Sequence, residues 1–317
     1  MALGCSLSHA SGKQPVDPNI ESIRVHVAIA VTVVLCSLTG AFNVRRPTCR
    51  AISAVLLALT LVTPWIASAN SPLVRSLCAC AGALAIFRNL DLWRDERGWG
   101  HVRRAFHVLS IVDSRLVRRR PARIDATMWL RVVLFGVPTA VAVVLVRKIG
   151  TPEDPTGYLT RWLTGSVWAY CSIEMLAAGL VGCAGIVGLE LPPLHNNPLR
   201  SRSLAEFWAR RWNLPVHAML FEHCFRPVAP RVKPTSALLI TFVASAALHF
   251  WIIFAACGPV LAASMATFFL AHASLFLVER HVRVRHWHRA LQHIWTAVTV
   301  LVTLPLLLEP LMRVALG

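Results

Sequence analysis

Two residues in this chain are of a type, and in a place, to do chemistry. His249 lies in the apolar run Ser236–Cys257, and Asn213 lies in the polar, basic, tryptophan-rich stretch Ser203–Val228 that leads into it. An ionisable group well inside a membrane span is costly to place without a role. Between Leu248 and Phe250 a charged imidazole is strongly disfavoured, so His249 is expected neutral, with one ring nitrogen free to accept a proton. That suits a general base acting on a hydroxyl dissolved in the membrane. A histidine bonded across to a neighbouring helix, worth about 1 kcal/mol, accounts for the same position. Asn213 follows WARRW and precedes Leu214-Pro215. It reads either as a neutral donor and acceptor that orients a carbonyl or the base, or as an ordinary helix cap.

Other titratable groups sit nearby in sequence. His272 is a second intramembrane histidine, and Glu279 follows it seven residues on, on roughly the same helical face. They could support His249 or line a tunnel; packing and interface placement explain them equally well. A pair of intramembrane histidines also suits a proton relay in a transporter, although the inverted repeats and broken spans of a transporter are absent from the sequence. His281, His286, His288 and His293 are interleaved with Arg283, Arg285 and Arg289. HxH spacing on a helix does not point two imidazoles the same way, so a solvated basic face is expected there and no metal site. There is no P-loop, GxSxG, HExxH or Gly-rich dinucleotide loop, and no cofactor is implied.

The elements that must position these groups are membrane helices. Only 15% of residues are charged and mean hydropathy is +0.59, against about 25% charged in soluble domains. Apolar runs at Ile23–Phe42, Ala51–Ala69, Leu73–Leu90, Met128–Val146, Trp162–Leu189, Ser236–Cys257, Val260–Val278 and His293–Met312 give about eight spans of the roughly 20 residues needed. The third is weakened by Arg75 and Arg88. The expected fold class is all-α and polytopic, with interfacial amphipathic helices beside the spans. The net charge of +17 does not indicate nucleic acid, because no soluble stretch is able to carry a nucleic-acid fold. The arginines cluster in alternate loops, around Arg45–Arg50, Arg94–Arg123, Arg200–Lys233 and Arg280–Arg289, which places those loops on the cytoplasmic side if both termini face out. The nine cysteines are odd in number and mostly in apolar runs, so they read as small core residues. The polar first 20 residues do not make a signal peptide. Composition rich in Ala and Arg suggests a GC-rich bacterium and its inner membrane. Oligomeric state is not legible.

Within the basic stretch, Ser203 and Glu206 form a possible capping box. Trp208 and Trp212 are four apart and share a face if the segment is α-helical. Pro215 should bend or end that helix near Asn213. Trp93, Trp99, Trp208, Trp212 and Trp287 sit beside arginines at span ends, where interfacial anchoring is the expected role.

The assembly PPLHNNPLRSRSLAEFWARRWNLPVHAMLFEHCFRPV followed by SAALHFW resembles the wax-synthase branch of the membrane-bound O-acyltransferases. The residues that carry the likeness are Pro192-Pro193, Ser203-Leu204, Phe207-Trp208, Arg210 to Asn213, and Ser245 to His249. It runs from about Leu189 to the C-terminus, while residues 1–188 contribute only hydropathy. The resemblance implies one integral membrane domain, with a helical 1–188 part and a catalytic core at 189–317 enclosing a tunnel. It implies that His249 and Asn213 match the catalytic His and Asn, with Phe207, Trp208, Arg210, Arg211, Trp212, Ser245 and His272 around the substrates. It implies acyl-CoA as co-substrate, arriving from the cytosol, and a lipophilic alcohol as acceptor. Arg202, Arg210 and Arg211 would meet the CoA phosphates, or serve only as topological anchors. Two departures are Phe250-Trp251, where many relatives carry an acidic residue after the histidine, and His272, where a glutamine is common.

Overall fold

The protein is described here from a computed structural model covering residues 17–44, 46–95 and 98–317. Cys5, the polar N-terminal stretch before residue 17, Arg45 and Arg97 lie outside the described residues.

Proline and aspartate mark the helix starts. Proline opens α1 (Pro18–Phe42), α2 (Pro47–Val62) and α3 (Pro72–Arg94), where its missing N–H is no loss and its fixed φ suits the first turn. After the short α4 (His101–Leu109), Asp125 caps α5 (Ala126–Ile149) by accepting from the Thr127 and Met128 N–H groups, and Asp154 caps α6 (Pro155–Ile186) through the Gly157 N–H. Three short helices follow: α7 (Leu204–Glu206), α8 (Leu214–Leu220) and α9 (Arg226–Val228). Then come α10 (Pro234–Cys257), α11 (Pro259–His281), α12 (Arg289–Thr303) and α13 (Pro305–Leu316). The all-α expectation holds apart from a two-residue antiparallel ladder that pairs β1 (Arg118–Arg119) with β2 (Leu189–Glu190).

Among the described residues, seven helical segments are long and apolar enough to cross a membrane, α2 counting together with the turn that extends it to Ile66, and eight if α12 and α13 count as one span. The third span is present as α3. Its charges are accommodated because Arg75 donates to the Ala67 carbonyl and Arg88 is buried in an ion network. The eighth differs from expectation. Instead of one span over His293–Met312, the chain bends by 51° between α12 and α13, at Leu304–Pro305, where proline cannot donate to the helical ladder and its ring crowds the preceding turn.

α5 packs on α6 and α10 on α11, the second pair joined at Gly258, whose φ of 85° is accessible to glycine without penalty. α10 also packs on α3, and α13 on α6. The apolar core between α10 and α11 is built from Ala246, Ile253, Met265, Phe268 and Phe269, with Val314 of α13 closing one side and Trp208 packed against it. Polar side chains join the N-terminal helices: Asn43 donates to the Asn89 carboxamide at 2.8 Å, Asn89 to Thr39 at 3.0 Å, and Thr32 to Thr63 at 2.7 Å. Such hydrogen bonds hold helices together where apolar burial distinguishes little between helix and lipid.

Candidate active site

His249 emerges from α10 on the same face as Ser245, Ala246 and Ile253, toward α11. Its Nδ1 lies 2.8 Å from the Ser245 carbonyl. A carbonyl only accepts, so Nδ1 carries the proton and Nε2 keeps its lone pair. Among the described residues Nε2 has no hydrogen-bond partner and is not sealed from its surroundings. The ring lies 4.0 Å from that of Phe269. A cavity of about 350 Å³ touches the same helix, but it is walled by Ala83, Ile86 and Phe87 of α3 and by Ala244, Ala247, Leu248 and Trp251 of α10, and His249 is not part of its wall.

His272 is fully buried, and both of its nitrogens are in use. The Trp208 Nε1–H donates to Nδ1 at 2.9 Å, and Nε2 lies 2.7 Å from Thr303 Oγ1, whose own proton goes to the Thr299 carbonyl. His272 therefore holds Trp208 in place. A relay needs a nitrogen able to exchange partners, and His272 offers none, so the transport reading gains no support. Glu279 does not support His249 either. Its carboxylate accepts from the N–H groups of Leu204, at 2.6 Å, and Ala205, and from Trp295 Nε1. Negative charge at a helix N-terminus satisfies donors that have no partner inside the helix.

The Ser203–Asn213 segment departs from a plain α-helix. Ser203 Oγ accepts the Glu206 N–H as expected, but Glu206 turns back to the Arg202 N–H and not to Ser203. Phe207–Arg211 then forms one π-helical turn, closed by the Trp212 N–H on the Phe207 carbonyl at 2.9 Å. Residues five apart now align, so Phe207 and Trp212 stack at 5.6 Å while Trp208 points to His272. The expectation that Trp208 and Trp212 share a face is thus corrected. Of the tryptophans expected to anchor at the interface, Trp99 is buried, Trp208 and Trp212 are half-buried, and Trp93 and Trp287 are exposed. The helix ends near Asn213, where it was expected to end; Asn213 lies in the left-handed region with φ 42° and ψ 59°, and Pro215 sits in the first turn of α8 that follows.

The Asn213 carboxamide makes no hydrogen bond among the described residues, whereas its backbone N–H donates to His195 Nδ1 at 3.1 Å. No hydrogen bond joins Asn213 to His249 among the described residues. A continuous row of rings links them: His195, Trp212, Phe207, Trp208, Phe269 and His249, with neighbouring centroids 4.0 to 5.8 Å apart. Arg211 is engaged by Glu206, at 2.6 Å, and by the Asn196 and Asn197 carbonyls. Burial pushes the Glu206 carboxyl up, but the Arg202 backbone N–H and then the Arg211 guanidinium together pull it below its ordinary range. Arg210 is exposed and unpaired among the described residues.

A second buried cluster escaped the sequence reading. Asp91 accepts from Arg115 at 2.7 Å, His223 at 2.9 Å and Arg88 at 3.2 Å, and lies 3.3 Å from His107 Nε2. Asp113 takes Arg115 through two nitrogens, which hold its carboxyl below the usual range although burial pushes the other way. Asp91, His107 and Asp113 have metal-like proximity, but two guanidinium groups occupy the same oxygens. His223 lies in a second π turn, Phe221–Phe225, so the cluster ties the N-terminal helices to the stretch after Asn213.

Residues 191–271 match the family described as membrane bound O-acyl transferase family. The chain is 31% identical over 139 residues to probable long-chain-alcohol O-fatty-acyltransferase 2 of Arabidopsis thaliana, covering 40% of each protein. It is 35% identical over 82 residues to the long-chain-alcohol O-fatty-acyltransferase of Simmondsia chinensis, covering 23% of each. It is 33% identical over 97 residues to acyl-CoA–sterol O-acyltransferase 1 of Arabidopsis thaliana, covering 28% of this chain and of that one. The chain matches less than half the length of each of these relatives. The resemblance to the wax-synthase branch is therefore found independently, over a segment that holds Asn213, His249 and His195 and stops one residue short of His272.

Proposed function

We propose, from the premise that residues 191–271 carry the membrane-bound O-acyltransferase pattern in a multi-pass membrane protein, that the chain transfers a fatty acyl group from acyl-CoA to the hydroxyl of a lipophilic alcohol. The observation that carries this reading is the tautomer of His249. With Nδ1–H committed to the Ser245 carbonyl, the free Nε2 is a base in a low-polarity setting. In the reaction Nε2 removes the hydroxyl proton as the alcohol oxygen bonds to the thioester carbonyl carbon. The C–S bond then breaks, the CoA thiolate leaves, and the proton held on His249 passes to it, giving an ester and free CoA. The Asn213 carboxamide donates to the carbonyl oxygen as negative charge builds there. Holding both reactants at one point supplies the orientation that a dilute bimolecular reaction lacks. Exposed Arg210 is the better placed of the two motif arginines to meet CoA phosphates, because Arg211 already has a carboxylate.

The basic loops face the cytosol in this reading. The membrane, taken from composition as a bacterial inner membrane, draws no support from the plant relatives. The acceptor class follows the relatives' names, long-chain alcohols first and sterols second. The test is a membrane assay with labelled acyl-CoA and a panel of fatty alcohols, sterols and diacylglycerol. Wild type forms labelled neutral ester, and His249→Ala loses about 10²- to 10⁴-fold, the usual worth of a general base. Equal rates for the two proteins would remove the mechanism.

A further inference from the structure

We infer that His195 is a positioning residue for Asn213: its ring Nδ1 accepts the Asn213 backbone N–H and thereby holds the asparagine in its left-handed conformation with the carboxamide uncommitted. The inference rests on the proposed acyl transfer and concerns the same site. The observations behind it are independent of the family pattern. Asn213 is one of three non-glycine residues with positive φ among the described residues. Such a conformation is sparsely populated and persists only where neighbours over-determine it. Here the neighbours are identifiable. The Asn213 N–H goes to His195 Nδ1, the Leu214 N–H to the Leu194 carbonyl at 3.0 Å, and the Asn196 N–H to the Arg211 carbonyl at 2.9 Å. The His195 loop thus runs alongside residues 211–214 like a splint, and the His195 ring packs 5.3 Å from Trp212.

Because Nδ1 accepts, Nε2 carries the proton of the neutral ring. It has no hydrogen-bond partner among the described residues. Glu174 and Arg131 act on this histidine electrostatically and pair with each other at 2.6 Å, with Glu174 almost fully buried in the middle of α6. A charge pair at that depth marks a functional neighbourhood by default. The ring therefore fixes the Asn213 backbone through Nδ1, beside a buried carboxylate that already has its own arginine partner.

Three variants test this in the membrane assay. His195→Phe keeps a flat ring against Trp212 and removes the acceptor. His195→Gln restores an acceptor oxygen without the ring, and Leu194→Ala perturbs the same loop without touching the acceptor. The expected result is a 10- to 100-fold fall in kcat for His195→Phe with KM for the alcohol changed less than 3-fold. His195→Gln should recover to within 5-fold of wild type, and Leu194→Ala should stay within 3-fold. Wild-type kcat in His195→Phe overturns the assignment. So does equal loss in the Phe and Gln variants, with raised KM and lowered thermal stability in both, since that is the signature of packing alone. If wild type makes no ester with any alcohol, the acyl-transfer reading falls and this assignment falls with it. An active wild type with an active His195→Phe sinks only this one.

Discussion

Glu279 offers a direct test of how the basic segment is held, because support of His249 was only one of the readings open for it and it is found capping α7. Its carboxylate serves three donors: the Leu204 N–H at 2.6 Å, the Trp295 Nε1–H at 3.2 Å and the Ala205 N–H at 3.4 Å. Leu204 is fully buried, so its N–H has no recourse to water. Glu279→Gln keeps one acceptor oxygen. Placed toward Leu204 and Trp295, that oxygen retains two bonds but loses the charge assistance that roughly doubles their strength, about 1 kcal/mol each. The new NH₂ then faces the Ala205 N–H, where a weak bond becomes a donor–donor contact. The sum is a loss of about 2–3 kcal/mol. Glu279→Ala strands the Leu204 donor as well and should cost about 1–3 kcal/mol more. At a few degrees per kcal/mol for a chain of this size, the unfolding midpoint of the detergent-solubilised protein should fall by about 5 °C for Gln and further for Ala. Tryptic cleavage at Arg202, Arg210 and Arg211 should accelerate in the same order. A midpoint within about 1 °C of wild type for both variants, with unchanged cleavage, would refute the capping argument. A normal Gln variant beside a failing Ala variant would show that hydrogen bonding suffices and the charge is not needed.

Other expectations follow from the same geometry. Trp208→Phe keeps an aromatic ring against Phe242, Phe268 and Phe269 but leaves the His272 Nδ1 acceptor buried and empty, so stability should fall by about 1–3 kcal/mol; an unchanged melting curve would contradict this. Asp91→Asn strands buried arginine charge and should cost about 3–5 kcal/mol, enough to abolish a monodisperse peak in size-exclusion chromatography, while Asp113→Asn, at the more exposed end of the cluster, should still give one. Burial lowers the pKa of His195 and His217 below the ordinary histidine range. The folded chain then binds fewer protons than the unfolded chain once pH drops under about 6.5, so their contribution to stability is present at pH 7 and declines on acidification. His217→Phe should flatten part of that slope in melting curves taken between pH 7 and pH 5.

Hydropathy located the spans because a lipid-facing helix advertises itself residue by residue: Leu130, Val133, Leu134 and Val137 of α5 are all well exposed on the isolated protein. His249 was legible for the same reason, as a polar interruption in an apolar run. The attachments of the basic segment were not. Leu204 meets Glu279 across 75 positions, Trp208 meets His272 across 64 and His223 meets Asp91 across 132. Nothing in a local pattern reports such pairings. The π turn was nearer to being readable. Aromatic residues at 207 and 212 are five apart, the spacing that one extra residue per turn brings into register. An assumption of α-helix aligned Trp208 with Trp212 instead. His195 was passed over because the run PPLHNN has no periodicity to judge it by.

These attachments bear on why the unusual backbone sits where it does. Left-handed Asn197 and Asn213 and both π turns fall between residues 197 and 225. A strained segment relaxes unless it is held at several points, and this one is pinned at Leu204 by α11, at Trp208 by α11 and α12, and at His223 by α3. The pins bracket Asn213 without touching its side chain. Removing any one pin should therefore lower stability in proportion to the bonds lost and lower ester formation only as far as Asn213 loosens. Removing the His195 contact should do the reverse, since it acts on Asn213 itself and leaves all three pins intact. A set of variants in which every loss of activity tracked loss of stability would mean that the segment is merely a well-packed connection. Separation of the two effects would mean that the fold holds the strain where the reaction uses it.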